Sequence, residues 1–345
     1  MRVEAILAEA MLRQASDVHL TVGLPPMLRI NGQLAATDAA PLCSTDTEKM
    51  LAALASDIQL RQFAIAGDLD FAAAFATGRC RVNVFRQQGS VALAIRIINQ
   101  QPPSLAELGH PAALFGLARL TRGLVLVTGP AGSGKSTTLA ALLDLINSER
   151  NCHILTLEDP IEYVHRHRRS IVHQREIYHD SQTFATALRA ALREDPDVIM
   201  LGEMRDPETI TTAVTAAETG HLVLASLHTG GAIQTIDRIV DSFPAYQQQQ
   251  VRSQLANVLQ GAVAQQLLPR ADGRGRIAAC EILICTPAIS NLIREGKTHQ
   301  IASLMQTGSR YGMRTMDNSL NELCSRGQIS RETALAYAAG MLTAN

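Results

Sequence analysis

Between residues 124 and 136 a short apolar stretch leads into a glycine-rich loop. The loop has the residue pattern of a phosphate-binding P-loop, Gly129-Pro130-Ala131-Gly132-Ser133-Gly134-Lys135-Ser136. Such a loop lies between a buried strand and a helix, because its backbone N–H groups and the positive end of the helix dipole hold the phosphates. The chain is therefore predicted to contain a strand–loop–helix unit of an α/β fold.

The P-loop predicts ATP and Mg²⁺ as ligands of the chain. In this motif the lysine reaches the β- and γ-phosphates and the hydroxyl after it ligates Mg²⁺, which assigns these roles to Lys135 and Ser136. Lys135 is one of only three lysines in the sequence, which lowers the chance of an accidental match. The remaining predicted nucleotide contacts are Gly132, Ser133, Gly134 and Thr137.

From residue 123 onward, strand-like and helix-like segments alternate. The predicted strands cover 123–128, 153–158, 198–202 and 222–227, and the predicted helices cover 135–148, 183–194 and 206–219. This alternation is typical of a mostly parallel sheet with helices on both faces. After about residue 245 the chain is predicted to be helical, apart from a hairpin near residues 270–284.

The first hundred residues predict a smaller α+β domain. A helix is expected over 2–14, and strands over 17–20, 27–30, 79–85 and 91–98. In residues 79–85 apolar side chains alternate with polar ones, so Arg81 is expected on the exposed face of its strand. Prolines and polar residues at 99–111 predict a linker, which gives domains of 1–98 and 112–345.

Acidic residues and a histidine follow the predicted strands of the second domain. Glu158, Asp159 and Glu162 follow one strand, Glu203 ends another, and His228 ends a third. Ligands bind at the carboxyl ends of parallel strands, and Mg²⁺ would offset the repulsion between such acids. One acid of the first group can activate the attacking water, Glu203 can hold Mg²⁺ or its water, and His228 either donates to the γ-phosphate or has a structural role.

Four motifs in order along the chain resemble those of the secretion-superfamily ATPases, and most closely the retraction ATPases of type IV pili. They comprise an N-terminal signature, an acidic box, an atypical Walker B segment and a histidine box, at Ala15–Leu20, Glu158–Glu162, Gly202–Asp206 and His228-Thr229. The resemblance extends over essentially the whole chain.

This resemblance implies a homohexamer in which a PAS-like N-terminal domain precedes a RecA-like motor. Glu162 matches the water-activating glutamate of the family and Glu203 its Walker B acid. Arg81 and Arg96 match arginines that reach the γ-phosphate from the N-terminal domain. The implied partner is the inner-membrane platform protein of the pilus machine, with the ATPase cytoplasmic and peripheral at that membrane.

Two features distinguish retraction from assembly within this superfamily. Assembly ATPases of pili and type II secretion carry a four-cysteine zinc module after the histidine box, and this chain has no such group of cysteines. The segment Ala288–Glu295 resembles a signature of the retraction ATPases, with Ser290 where that family usually has arginine. Thr286 and Pro287 predict the start of a helix that carries this segment.

Several alternatives remain open from the sequence. They are an accessory retraction ATPase, an assembly ATPase, a RecA-like nucleic-acid translocase and a subunit that binds ATP without hydrolysing it. A net charge of −1 and an aromatic content of 3% weigh against nucleic-acid binding, which uses basic grooves and stacking side chains. No apolar stretch approaches the ~18 residues of a membrane-spanning helix, so no membrane span is predicted.

Overall fold

The computed structural model describes residues 2–30, 32–75, 78–98 and 102–338. The chain divides into two compact units, Met1–Gln101 and Pro102–Asn345. The predicted linker falls partly on residues 99–101, which lie outside the described residues. Residues 102–111 belong to the second unit and Leu105 is buried there, while the domain limits at 98 and 112 stay predictions. Within the described residues, no helix is long and apolar enough to cross a bilayer.

The described residues of the first unit form one antiparallel sheet with three helices. The six strands follow the order β3-β2-β1-β6-β5-β4. Its elements are α1 Val3–Leu12, β1 Asp17–Leu20, β2 Met27–Ile30, β3 Gln33–Ala36, α2 Ser44–Leu54, α3 Asp57–Ala66, β4 Asp68–Phe75, β5 Gly78–Gln87 and β6 Ser90–Ile98. Strand β5 buries Cys80, Val82 and Val84 and leaves Arg81 exposed, which confirms the predicted alternation.

The second unit is built on a seven-stranded sheet of order β13-β12-β7-β11-β10-β8-β9. Among the described strands of this sheet, only the β12–β13 pair is antiparallel. The strands are β7 Gly123–Thr128, β8 His153–Glu158, β9 Ile171–Glu176, β10 Val198–Leu201, β11 Leu222–Leu227, β12 Leu259–Pro269 and β13 Arg276–Ile284. The helices are α4 Ala112–Ala118, α5 Lys135–Glu149, α6 Phe184–Ala191, α7 Pro207–Glu218, α8 Ala232–Asp241, α9 Ala245–Val258, α10 Pro287–Arg294, α11 Ile301–Thr307, α12 Met316–Ser325 and α13 Arg331–Ala338.

Both faces of this sheet are covered by helices. Leu124 and Leu126 of β7 pack into one apolar cluster with helices α6–α10, and Val125 and Val127 pack into another with α4 and α5. All six residues of β7 are buried, as a strand covered on both faces requires. The predicted α/β architecture is therefore confirmed, and the P-loop lies between a buried strand and a helix.

The prediction of a helical region from about residue 245 is wrong for residues 259–269. These residues form β12, which pairs in parallel with β7 and antiparallel with β13 over Gly261–Pro269. The segment is short and apolar, and such runs fit a buried strand or a buried helix equally well. Pairing with β7 on one edge and with β13 on the other decides for the strand, because the segment then gains ladder hydrogen bonds and burial together.

The buried side chain of His165, which is 8% exposed, is expected to make the stability of the fold depend on pH. Burial, assisted by the charge of Arg168, lowers the pKa of His165 to about 4. The folded chain therefore binds fewer protons here than the unfolded chain, and stability is lost as pH falls from about 6.5 towards 4. We expect His165→Leu to reduce the slope of unfolding free energy against pH by about 1 kcal/mol per pH unit near pH 5.5.

Urea denaturation of the full chain at a series of pH values measures this slope. The exposed His299 provides the matched control, and His299→Leu is expected to retain the wild-type slope. A His165→Leu slope equal to that of the wild type would contradict the assignment of a neutral, buried imidazole.

Candidate active site

Four parallel strands of the second unit end next to one another, in the order β7, β11, β10 and β8. A cavity of about 290 Å³ lies at their carboxyl ends. Six of the predicted site residues line it, namely Gly132, Lys135, Ser136, Glu162, Glu203 and His228. Residues from four separate segments of the sequence therefore meet at one edge of the sheet, where parallel α/β folds bind ligands.

The ammonium group of Lys135 is held against the P-loop backbone. Its Nζ donates to the carbonyl oxygens of Gly129 and Pro130, each at 2.9 Å, and lies 3.4 Å from Nδ1 of His228. Burial lowers the pKa of Lys135, and the negative charge of Glu203 acts in the opposite direction. A glycine-rich loop before a helix that already holds a lysine against it is suited to a polyphosphate.

Glu203 and His228 form the next part of the site. The side chain of Glu203 is 14% exposed, and its Oε1 lies 2.7 Å from Nε of Arg205. His228 Nε2 lies 3.6 Å from the other oxygen of Glu203. Burial and then the charge of Lys135 lower the pKa of His228, while Glu203 opposes them. Since Lys135 can only donate, Nδ1 of a neutral His228 accepts and its Nε2–H faces Glu203.

Two glutamates of the acidic box have different surroundings. Glu158 is 6% exposed and accepts from Thr156 Oγ1 at 2.6 Å and Gln174 Nε2 at 3.1 Å. Burial raises the pKa of Glu158 to about 7. Glu162 is exposed and lines the cavity, with its backbone N–H donating to Glu158 at 3.5 Å. The accessible carboxylate of the pair is therefore Glu162.

The donor set fits Mg²⁺ bound together with a nucleotide. Ser136 offers an exposed hydroxyl, and Glu203 and Glu162 offer carboxylates at the same cavity. In the described part of the chain, no three His, Cys, Asp or Glu side chains form a metal cage. Mg²⁺ at nucleotide sites takes one or two protein groups and completes its shell with phosphate oxygens and water. The oxygen ligands present here suit that arrangement.

The remaining predicted residues lie beside the cavity or in the first unit. The Ser133 side chain is buried in the loop, and Thr137 Oγ1 lies 2.9 Å from the hydroxyl of Tyr163. Arg81 and Arg96 face each other on β5 and β6 of the first unit. There Arg81 lies 3.6 Å from Asp70, and Arg96 lies 3.0 Å from Asp17. Gly134 is the residue before α5, with φ of 89°.

Comparison with known proteins gives the family of the chain. The profile of the type II/IV secretion system protein family matches residues 1–334. This chain belongs to that family. PilT of Pseudomonas aeruginosa, a type IV pilus retraction ATPase, is 47% identical over 335 residues, which cover 97% of each protein. PilU of the same organism, a type IV pilus ATPase, is 42% identical over 339 residues, which cover 98% of this chain and 89% of PilU.

A solved structure extends the likeness of this type II/IV secretion system protein to three dimensions. The crystal structure of the pilus retraction motor PilT with bound ADP superimposes with a TM-score of 0.90 at 49% identity. The match covers 97% of this chain and 96% of PilT. The resemblance drawn from the four motifs is thereby confirmed, as is the fold class.

Sequence reasoning on this member of the type II/IV secretion system family missed three residues of the site. Tyr163 and Arg205 line the cavity, and Gln265 on strand β12 donates a hydrogen bond to the P-loop. Tyr163 directly follows Glu162, and Arg205 lies two residues after Glu203. Their closeness in sequence to these motif acids could have identified both as site residues. A glutamine within the apolar run of β12 was the signal for Gln265.

Proposed function

We propose that this chain is a Mg²⁺-dependent ATPase that powers retraction of type IV pili, the motion behind twitching motility. The observation that carries the proposal is the convergence of Lys135, Ser136, Glu162 and Glu203 on one cavity at the carboxyl edge of the sheet. The near full-length likeness to PilT supports the same function for this chain, with the pilus as the structure that ATP hydrolysis moves.

The chemistry follows from the positions of these groups. The phosphates of ATP bind along the P-loop, and Lys135 exchanges its bonds to the Gly129 and Pro130 carbonyls for bonds to phosphate oxygens. Ser136 and Glu203 would hold Mg²⁺, which when bound supplies positive charge beside the β- and γ-phosphates. Glu162 accepts a proton from the attacking water while the oxygen of that water bonds to the γ-phosphorus. The bond between the γ-phosphorus and the oxygen that bridges it to the β-phosphate breaks, and ADP and phosphate leave.

His228 and the two arginines complete the proposal. The neutral His228 is assigned a hydrogen bond to the γ-phosphate, since it lies beside Lys135. Arg81 and Arg96 are assigned to the same phosphate, where positive charge offsets the negative charge of the transition state. This assignment requires them to leave Asp70 and Asp17, with which they are paired in the structure.

The assembly that we propose is a homohexamer at the inner membrane. It acts from the cytoplasm on the platform protein of the pilus machine, and its membrane association comes through that partner. The helix Pro287–Arg294 supports this proposal, because it carries the retraction-like segment on an ordered scaffold. Its N-cap is Thr286, and its residues Ile289 and Ile293 are buried.

Replacement of Arg81 tests the arginine assignment. We expect Arg81→Ala to lower kcat for ATP hydrolysis by about 100-fold, a loss in the range found when one donor to a developing charge is removed. Stability is expected to change little, because the Arg81–Asp70 pair is about half exposed. Arg13→Ala is the matched control, since it breaks a comparably exposed pair with Glu9 and is expected to keep wild-type turnover. Equal turnover in the two variants would refute the role of Arg81.

Steady-state ATPase activity of the purified chain, measured together with its mass in solution, tests the proposed function. Mg²⁺-dependent turnover in a hexamer is the expected result. ATP binding without turnover would instead support a non-catalytic binding subunit, and stimulation by single-stranded DNA would support a translocase.

Expression in cells that lack their own retraction ATPase separates the main from the accessory role, because only the main motor restores twitching unaided.

A further inference from the structure

A buried glutamine supports the P-loop from the neighbouring strand. Gln265 on β12 is 2% exposed, and the residue before it, Ala264, pairs with Thr128 at the end of β7. Its Nε2 donates to the carbonyl oxygen of Ser133 at 2.7 Å. Its Oε1 accepts from Thr138 Oγ1, also at 2.7 Å. Both ends of the amide are therefore used, one on the loop and one on the helix that follows it.

The direction of every hydrogen bond in this group can be assigned. The carbonyl of Ser133 can only accept, which fixes the amide orientation of Gln265 and makes Thr138 the donor to Oε1. The Thr138 hydroxyl then accepts from His110 Nε2, which lies 2.9 Å away. Nδ1 of His110 is left as the acceptor for the thiol of Cys280, at 3.5 Å.

The protonation states of His110 and Cys280 agree with these hydrogen-bond directions. Burial lowers the pKa of His110 to about 4, so its ring is neutral and carries a single N–H. Burial likewise raises the pKa of the Cys280 thiol to about 12, so the thiol keeps its proton and can donate. One continuous set of hydrogen bonds thus runs from Cys280 through His110, Thr138 and Gln265 to the P-loop.

The hydrogen bond to the Ser133 carbonyl also orients the next N–H of the loop, because the Ser133–Gly134 peptide bond is planar. In a trans peptide the C=O and the following N–H point in opposite directions, so holding the Ser133 carbonyl directs the Gly134 N–H away from Gln265. Gly134 is needed for this approach, because a Cβ there would lie 2.8 Å from Gln265 Nε2 and its φ is +89°. The group therefore holds the orientation of one backbone N–H of the P-loop.

We propose that Gln265, Thr138 and His110 are positioning residues that set the orientation of the Ser133–Gly134 peptide and thereby the nucleotide affinity of the P-loop. The inference rests on the proposed nucleotide binding at this loop. The three residues act through the loop backbone, and they contribute by holding it ready before the nucleotide arrives, which lowers the ordering cost of binding.

The test compares Thr138→Val with Thr138→Ser. Valine has a similar shape but no hydroxyl, so it leaves Gln265 Oε1 and the N–H of His110 without their partner. We expect about tenfold weaker binding of Mg-ADP by Thr138→Val and near wild-type binding by Thr138→Ser, both measured by calorimetry on the full chain. Gln266→Leu is the matched control, because Gln266 is the next residue of β12 and its Oε1 has no hydrogen-bond partner among the described residues.

The outcomes separate this inference from the proposed function. Equal Mg-ADP affinity of the wild type and Thr138→Val would overturn the positioning role alone, even if the variant melts at a lower temperature. No Mg-ADP binding by the wild type would overturn the proposed function and this inference with it. If Thr138→Val does not fold, ¹⁵N-histidine NMR of the wild type decides: an Nε2–H tautomer of His110 supports the direction assigned here, and an Nδ1–H tautomer refutes it.

Discussion

Glu162→Gln is expected to lower kcat for ATP hydrolysis by about 10²- to 10⁴-fold while Mg-ATP affinity stays close to that of the wild type. Glutamine keeps the size and polarity of the side chain but is not a base. Glu162 is exposed at the cavity, so its loss removes proton transfer without disturbing a buried contact. Single-turnover hydrolysis and equilibrium binding of labelled ATP, measured on the same preparation, check the two parts of this expectation.

Glu158 is the competing base, and it provides the control. Its pKa of about 7 lies near the value that suits a general base at neutral pH. Its oxygens, however, already accept from Thr156, Gln174 and the N–H of Glu162. Geometry therefore favours Glu162, and Glu158→Gln is expected to act mainly on stability. Turnover abolished in Glu158→Gln but retained in Glu162→Gln would reverse the assignment.

Local sequence pattern was sufficient to predict the parts of the fold that are buried on one face or bounded by clear caps. Strand β5 alternates between Cys80, Val82, Val84 and polar residues, and that alternation matches its burial. The helix predicted over 206–219 is present as α7, and its N-cap is Asp206, whose Oδ1 accepts from Thr209 N–H at 2.8 Å. These features depend on neighbours within a few positions, which a single sequence contains.

Other features depend on residues distant in sequence and were not predictable in this way. Strand β12 owes its conformation to pairing with β7 and β13, and the contact of Gln265 with the P-loop joins residues 132 positions apart. The motif acids gave the chemistry of the site but not the contrast between buried Glu158 and exposed Glu162. Likewise, the partners of Arg81 and Arg96, Asp70 and Asp17, are visible only after the strands pair.

The P-loop glycines differ in how much they tolerate a side chain, and Gly129 is the most restricted. Its φ is +144°, and a Cβ there would overlap the carbonyl oxygen of Gln265 and lie 2.5 Å from Ser133 Oγ. The overlap involves backbone of β12, which cannot rotate away, since Gln265 pairs with Cys280 on the other side. Alanine at this position must therefore displace either the loop or the strand.

Gly129→Ala is accordingly expected to lower the free energy of unfolding by roughly 3 kcal/mol, from backbone strain and overpacking together, and to abolish Mg-ADP binding. Gly132→Ala is the matched control, since Gly132 also has a positive φ, +75°, but a Cβ there would meet no described atom within 4 Å. It is expected to cost about 1–2 kcal/mol from the left-handed backbone alone. Urea denaturation and Mg-ADP calorimetry on both variants measure the difference. Equal stability of the two variants would show that the close approach of β12 does not constrain the loop, because of these two glycines Gly129 faces that strand and Gly132 does not.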